Sequence, residues 1–253
     1  MSGLLSVFSK RTLLVCFLRT YLVGATFNSR GLQNVGLVFA MEPGLAAVYP
    51  DPTERQKARK GYLSHYNTHV FWTPLLTGVF LSLEARIASD KFPRELLDGV
   101  KDTTAYTLSA IGDSAFGGSL QVTWSLGMAC FVAAGFTGWA WAWLAGWFLG
   151  LQVFKVLTYV LGLREGLQFI HYLKRWNLIK WAATIKLINA VLLVAFLALL
   201  WRDADGWGMF ALASAVLMAA GYALSRVPAL RELLVVLFLA IYVVLPWASG
   251  FFS

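Results

Sequence analysis

The second half of the chain consists of long apolar runs separated by short polar links, and this pattern restricts the fold more than any other feature. The runs lie at 119–135, 138–162, 181–201, 207–225 and 231–252. Each approaches the roughly 20 residues that an α-helix needs to cross the hydrocarbon core of a bilayer. Only 13% of the residues are charged, against about 25% in soluble domains. The sequence therefore predicts an all-α, polytopic integral membrane protein that is embedded in a lipid bilayer.

The 21 basic residues outnumber the 13 acidic ones, and their distribution predicts the orientation of the spans. They gather in short clusters between apolar runs, as in the cytoplasmic loops of membrane proteins, which does not point to a nucleic-acid partner. The loop 163–180 contains Arg164, Lys174, Arg175 and Lys180. We therefore expect this loop and the basic stretch 51–64 to face the cytoplasm, with the C-terminus outside.

The first half of the chain has interrupted apolar segments. Residues 1–30 predict an amphipathic segment in the membrane interface, because basic side chains flank its apolar patches; a frayed N-terminus is the alternative. Residues 31–118 predict broken or re-entrant segments, with one helix interrupted at Pro43 and another at a group of glycines. These glycines are Gly112, Gly117 and Gly118. Residues 119–253 would supply the transmembrane helices of a membrane domain that begins at residue 31.

Polar residues in the interrupted segments are candidates for substrate contact, because non-helical backbone at membrane depth is tolerated where it lines a cavity. The candidates are Gln33, Asn34, Glu42, Asn67, Thr68 and His69. The side chains of Asn67 and Thr68 suit sugar hydroxyls, and helix capping is the alternative. On a helix His65 and His69 would share a face, but without a third ligand this spacing does not indicate a metal site.

Asp113 is a further candidate, because an acidic residue within an apolar stretch is energetically costly. It lies in the sequence GDSAFGG. It is expected to bind a substrate hydroxyl or pair with a basic residue, and it could also cap a helix that starts at Ser114. Glu84 lies two residues from Arg86 at the end of an apolar run, which favours an interfacial position. The sequence contains no hydrolytic triad, zinc centre or nucleotide motif, so we expect neither catalysis by this chain nor a cofactor.

Three stretches of the sequence together resemble a known family. They are FLRTYLVGATFNSRGLQNVGLVFAMEPGLAAVYP, HYNTHVFWTPLLTGVFLSLE and GVKDTTAYTLSAIGDSAFGGSL. In order and spacing, over roughly residues 11–200, the chain resembles the IID component of the mannose/fructose/sorbose family of bacterial phosphotransferase systems. The most specific marks are NTH at Asn67–His69 and GDSAFGG at Gly112–Gly118.

This resemblance implies a function. A IID component pairs with a IIC membrane subunit, in a trimer of heterodimers, and the pair moves a hexose across the bacterial cytoplasmic (inner) membrane. Cytoplasmic IIA and IIB proteins carry phosphoryl groups, and IIB phosphorylates the incoming sugar. The chain would then be a non-catalytic translocation subunit. The alternatives are a standalone multispanning transporter or membrane enzyme, and a IID-like scaffold that has lost transport.

Overall fold

The computed structural model describes residues 5–201, 206–226 and 232, and their regular structure is helical. The α-helices are α1 Lys10–Arg19, α2 Asn34–Val48, α3 Pro52–Tyr62, α4 Thr73–Ile87, α5 Leu97–Gly112, α6 Gln121–Ala133, α7 Thr137–Glu165, α8 Leu167–Arg175, α9 Leu178–Leu200 and α10 Trp207–Arg226. Short 3-10 segments are Leu5–Val7, Thr20–Thr26 and Arg94–Leu96, and a π-helix, Asp113–Leu120, joins α5 to α6. The described residues contain no β-strand, so the all-α prediction is confirmed. The chain divides into two compact units between Leu193 and Val194.

Helix α2 runs through Pro43 without interruption, so the predicted break at this residue is wrong. Proline has no amide hydrogen, and it leaves the carbonyl four residues earlier, that of Phe39, without its helical donor. The Nη1 of Arg19 donates a hydrogen bond to this carbonyl at 3.0 Å. The guanidinium also lies 4.3 Å from the centroid of the Phe39 ring. An arginine at the end of α1 thus replaces the missing hydrogen bond, which allows α2 to continue.

Helices α4 and α7 form the most closely packed pair in the first unit. Every residue of α4 from Thr73 to Ala85 is buried. A Cβ atom built on Gly78 of α4 would lie 2.5 Å from the Tyr159 carbonyl oxygen, and one built on Gly162 of α7 would lie 2.5 Å from the carbonyl oxygen of Leu75. The two backbones therefore approach each other at a pair of glycines, where no side chain fits between them.

The segment that contains GDSAFGG is helical throughout. Residues 97–133 form one continuous run of α-, π- and α-helix, so the predicted interruption at Gly112, Gly117 and Gly118 is wrong. Helical backbone angles are compatible with glycine, and its lower helix propensity costs only about 1 kcal/mol per residue. The surrounding packing is sufficient to offset such a cost, and the irregularity takes the form of wider π-helical turns.

Asp113 begins the π-helix and does not cap a new helix at Ser114, so that prediction is also wrong. Its backbone is helical, with φ −61° and ψ −40°, whereas a capping residue has non-helical angles. The hydroxyl of Ser119 donates to the Ser114 carbonyl oxygen, five residues earlier, at 2.8 Å. The carboxylate of Asp113 is therefore free of a capping role.

Three helical runs in the described residues are long and apolar enough to cross a membrane: Arg94–Ala133, Thr137–Glu165 and Leu178–Leu200. They account for the predicted spans that begin at residues 119, 138 and 181. Helix α10 occupies the predicted run 207–225, while the run 231–252 lies outside the described residues. A polytopic membrane protein is thereby confirmed, and the orientation of the loop 163–180 stays a prediction.

Candidate functional site

Gln33 connects the start of α2 to the loop that carries the NTH motif. The backbone N–H of Gln33 donates to the Tyr66 carbonyl oxygen at 2.9 Å. Its side-chain Oε1 accepts a hydrogen bond from the backbone N–H of Thr68 at 3.2 Å. Both side chains are buried, at 8% exposure for Gln33 and 2% for Thr68. Gln33 therefore fixes the backbone of this loop, a positioning role that is compatible with a site nearby.

Asn34 holds the beginning of the same loop. Its Nδ2 donates to the Leu63 carbonyl oxygen at 2.5 Å, and its Oδ1 accepts from the Nδ2 of Asn28 at 3.0 Å. Asn34 is 8% exposed, so its amide is fully engaged within the fold. Asn67 follows in the loop and is half-buried.

The loop is not helical between residues 63 and 72, so His65 and His69 do not share a helix face. Each histidine instead contacts the helical run 97–133. The ring of His65 stacks on Tyr106, with centroids 5.7 Å apart. The ring of His69 stacks on Phe116, with centroids 5.2 Å apart and planes inclined by 22°.

The NTH and GDSAFGG motifs meet at His69. A side chain at Gly112 would collide with the Cβ of His69, so the glycine permits the close approach of the loop to the helix. Asp113 follows this glycine and is exposed. The structure thus brings together two of the predicted site residues, His69 and Asp113, which are separated by more than forty residues in the sequence.

An aromatic cluster that sequence reasoning missed surrounds this contact. Phe116 lies at its centre, with ring centroids 5.0 Å from Phe71, 5.4 Å from Trp72 and 5.3 Å from Phe154. The rings meet at angles of 63° to 67°, the edge-to-face arrangement that aromatic pairs favour. These residues come from the NTH loop, the π-helix and α7, and their packing fixes the two motifs against one another.

Lys155 of α7 adds a positive charge to the same region. Its Nζ lies 4.2 Å from the centroid of the Tyr21 ring and 5.2 Å from that of Phe71, so cation–π contacts stabilise the ammonium group. A lysine within the predicted span 138–162 was the available signal, since ionisable residues inside spans indicate functional sites. Burial lowers the pKa of His69 from its ordinary value; Lys155 acts in the same direction, and Asp113 opposes both.

A cavity of about 350 Å³ opens beside the aromatic cluster. Its wall includes His69, Phe71, Phe116, Gln121, Trp124 and Trp147. Cavities of roughly 300–1,000 Å³ with aromatic walls and a few polar groups are typical of small-molecule sites. In the part of the chain that the structure describes, no group of three His, Cys, Asp or Glu side chains could hold a metal ion. The arrangement can therefore bind a small, partly apolar molecule through rings, one imidazole and one amide.

Residues 7–205 match the protein-family model of the mannose/fructose/sorbose family IID component of the phosphotransferase system. The chain belongs to this family. The mannose-specific EIID component of Escherichia coli (strain K12) is 30% identical to this IID chain over 107 residues, which are 42% of this chain and 38% of that protein. The fructose permease IID component of Bacillus subtilis (strain 168) is 25% identical over 114 residues, 45% of this chain and 42% of that protein. The matched part thus spans less than half the length of either relative.

Two solved structures have the same fold as this IID chain. One is a cryo-EM structure of the mannose transporter ManYZ in complex with a microcin, with a TM-score of 0.55 and 19% identity. The other is described as a membrane protein, with a TM-score of 0.68 and 18% identity. Each similarity covers 96% of this chain and 97% of the other. At these identities the similarity shows a shared fold.

Glu42, a predicted site residue of the IID chain, does not join His69 and Asp113. Its carboxylate pairs with two arginines of α3, at 3.0 Å from the Nε of Arg59 and 3.9 Å from the Nε of Arg55. These ion pairs connect α2 to the basic helix that follows it. Glu42 therefore has a structural partner that accounts for an acid in an apolar segment.

The side chain of Glu84 is fully buried within the protein, and its predicted interfacial position stays a prediction. Its Oε2 accepts hydrogen bonds from the hydroxyl of Tyr49 at 2.7 Å and from the Nη2 of Arg94 at 2.9 Å. Burial, together with the Glu84 carboxylate, raises the pKa of Tyr49. The IID fold pairs one oxygen of this buried acid with side chains that are 35 and 10 residues away in sequence, which spacing alone did not reveal.

Proposed function

We propose that this IID chain is the non-catalytic membrane subunit that, with a IIC subunit, moves a hexose across the bacterial cytoplasmic membrane. Cytoplasmic IIB would phosphorylate the sugar after IIA has supplied the phosphoryl group. The observation that supports the proposal is the contact between the NTH and GDSAFGG motifs beside an aromatic cavity, whose wall includes His69 and Phe116.

The chemistry of this region fits a sugar. A pyranose has an apolar C–H face and a ring of hydroxyl groups. The faces of Phe71 and Phe116 suit the apolar face. The imidazole of His69 and the amide of Gln121 line the cavity and can donate hydrogen bonds to the sugar hydroxyls or accept them, and the nearby carboxylate of Asp113 can accept them. A cavity of about 350 Å³ is large enough for one hexose.

The exposure of Asp113 supports a partner subunit on this side of the chain. Asp113 is exposed on the run Arg94–Ala133, which is apolar enough to span the membrane. A carboxylate exposed to lipid is costly, so such residues face a protein partner or a water-filled path. A IIC subunit that covers this side, in a trimer of heterodimers, would remove the cost and complete the sugar site.

The N-terminal segment 1–30 is proposed to lie in the membrane interface. Within it, α1 exposes Leu14 (56%) and Leu18 (54%), which are one turn apart, and buries Cys16. Exposed Lys10 and Arg11 precede these leucines. An apolar face beside basic residues suits the boundary of an anionic leaflet. Residues 31–253 would form the membrane domain.

Uptake of radiolabelled mannose or fructose tests the proposal in cells that lack other transporters for these sugars and produce the chain with IIC, IIB and IIA. We expect Asp113→Ala to lower uptake at least about tenfold, because hydrogen bonds to charged groups contribute roughly 1.5–3 kcal/mol. The matched control is Glu95→Ala, which removes an exposed acid at the start of the same helical run. Normal uptake with Asp113→Ala would contradict the sugar site.

Copurification on the same variants separates the sugar site from assembly. If Asp113 contacts sugar, the Asp113→Ala chain should still copurify with IIC in wild-type amount. Loss of IIC would assign Asp113 to the subunit interface instead. A wild-type complex that assembles but accumulates neither sugar would support the alternative of a scaffold without transport.

A further inference from the structure

Helix α9 contacts the end of the π-helix Asp113–Leu120 through its two buried residues. The buried residues of α9 are Ala182 and Asn189. The carbonyl oxygen of Ala182 accepts a hydrogen bond from the Ser119 hydroxyl at 3.1 Å. Asn189 is 7% exposed and contacts the end of the same segment. Its neighbour Ile188, by contrast, is 49% exposed.

Asn189 uses both ends of its amide. Its Nδ2 donates to the carbonyl oxygen of Ser119 at 2.9 Å, and its Oδ1 accepts from the Thr123 hydroxyl at 2.7 Å. A carboxamide is the side-chain group that can donate to a carbonyl and accept from a hydroxyl in one plane. The reverse orientation of the amide would place two oxygens against each other, so the hydrogen-bond network defines this one.

The π-helix gives a polar residue on a neighbouring helix a structural role. In a π-helix the i→i+5 pattern alters which backbone groups are paired, and at membrane depth there is no water to satisfy the rest. The Ser119 carbonyl lies at the end of the π-helix that begins with Asp113, and it accepts from the Thr123 hydroxyl at 3.1 Å as well as from Asn189. A donor from another helix can therefore fix the geometry of the segment that presents this acid.

We propose that Asn189 is a positioning residue that holds the π-helical GDSAFGG motif, and with it Asp113, in the geometry required for sugar binding. This inference rests on the proposed function. Interhelical hydrogen bonds stabilise membrane proteins only weakly. The loss of Asn189 is therefore expected to change sugar affinity while the complex still assembles.

The placement of Asn189 is tested without transport. In the full-length chain with Cys130→Ser, produced with IIC in native membranes, the pair Thr123→Cys and Asn189→Cys should form a disulfide with copper phenanthroline. Cys16 should not compete, because it is buried and burial raises the pKa of its thiol to about 11. The control pair is Thr123→Cys with Ile188→Cys. An absent disulfide, or equal disulfide yields for the two pairs, would overturn the placement.

The positioning role is tested by uptake kinetics of Asn189→Leu, which keeps the branched shape of the side chain and removes both hydrogen bonds. We expect the apparent KM for the accumulated sugar to rise about threefold or more, with IIC copurifying in wild-type amount. Ile188→Ala is the matched control and should leave the KM unchanged. Combined with Asp113→Asn, Asn189→Leu should raise the KM little further, because residues that act together are non-additive.

Three results would overturn the role of Asn189. They are an unchanged KM, a loss of uptake that parallels loss of the complex, and full additivity with Asp113→Asn. If the wild-type complex accumulates no sugar, the proposed function fails together with the role of Asn189 in sugar binding. The disulfide measurement still reports the contact with Thr123 in that case, so the two failures are distinguishable.

Discussion

Helices α4 and α9 are both apolar, but the fold encloses the first and touches the second at few points. From Thr73 to Ala85 every residue of α4 is buried, and glycines bring its backbone against that of α7. In α9 the buried residues are Ala182 and Asn189, and both take part in hydrogen bonds to the segment after Asp113. One helix is held by close packing and the other by polar contacts.

Because of this difference, we expect α4 and α9 to respond differently to mutation. Close packing leaves no room for added atoms, so an extra methyl group should destabilise the fold. Polar contacts between membrane helices contribute little energy but fix orientation. We therefore expect the largest losses of stability at α4 and α7, and mainly kinetic effects at α9.

The largest effect is expected for Gly162→Ala, because the added Cβ would lie 2.5 Å from the Leu75 carbonyl oxygen. Overpacking of this kind costs about 1–3 kcal/mol, and backbone on both sides places this site at the upper end. Thermal unfolding of the detergent-solubilised complex measures the loss. Gly150→Ala on the same helix, which meets no atom within 4 Å, is the control and should be neutral or slightly stabilising. Equal melting temperatures for the two variants would contradict the packing argument.

An intermediate effect is expected for Arg19→Met, since this change leaves the Phe39 carbonyl without a donor beside Pro43. The contact is exposed, so the loss should be close to the roughly 0.5–1.5 kcal/mol that a typical intramolecular hydrogen bond contributes. Pro43→Ala supplies the helical N–H again, so in that background Arg19→Met should cost less. The double-mutant cycle in thermal unfolding measures this coupling. Additive effects would show that Arg19 does not replace the missing hydrogen bond.

Features that depend on local sequence could be predicted, whereas features that depend on contacts between distant residues could not. Apolar run length is a local property, so the predicted spans 138–162 and 181–201 agree with the helices Thr137–Glu165 and Leu178–Leu200 to within three residues at each end. The break at Pro43 was wrong because its repair depends on Arg19, which belongs to another helix. The burial of Glu84 was missed for a similar reason, since its partners Tyr49 and Arg94 are distant in sequence.

The candidate site was predictable in part. The energetic cost of polar residues in apolar stretches, together with the family resemblance, indicated His69 and Asp113 as site residues. The structure places the two close together. The aromatic cluster around Phe116 could not be predicted, because an aromatic residue in an apolar run gives no periodic signal that distinguishes a site from a core. Glu42 was singled out by the same cost argument, but its arginine partners lie in α3, away from the site.

The smallest effect is expected from protonation of His69, which lies where the closely packed loop before α4 meets the π-helix. Burial lowers the pKa of His69 in the folded protein, Lys155 acts in the same direction, and the charge of Asp113 opposes them. Because the unfolded chain binds this proton more readily, the stability of the fold is fully present above about pH 6.5 and declines as the pH falls through the lowered pKa. Melting temperatures of the complex between pH 8 and pH 5 should therefore fall less for His69→Gln than for the wild type. His65→Gln, which removes an exposed histidine of the same loop, should retain the wild-type decline, and an identical decline in all three proteins would contradict a role for His69.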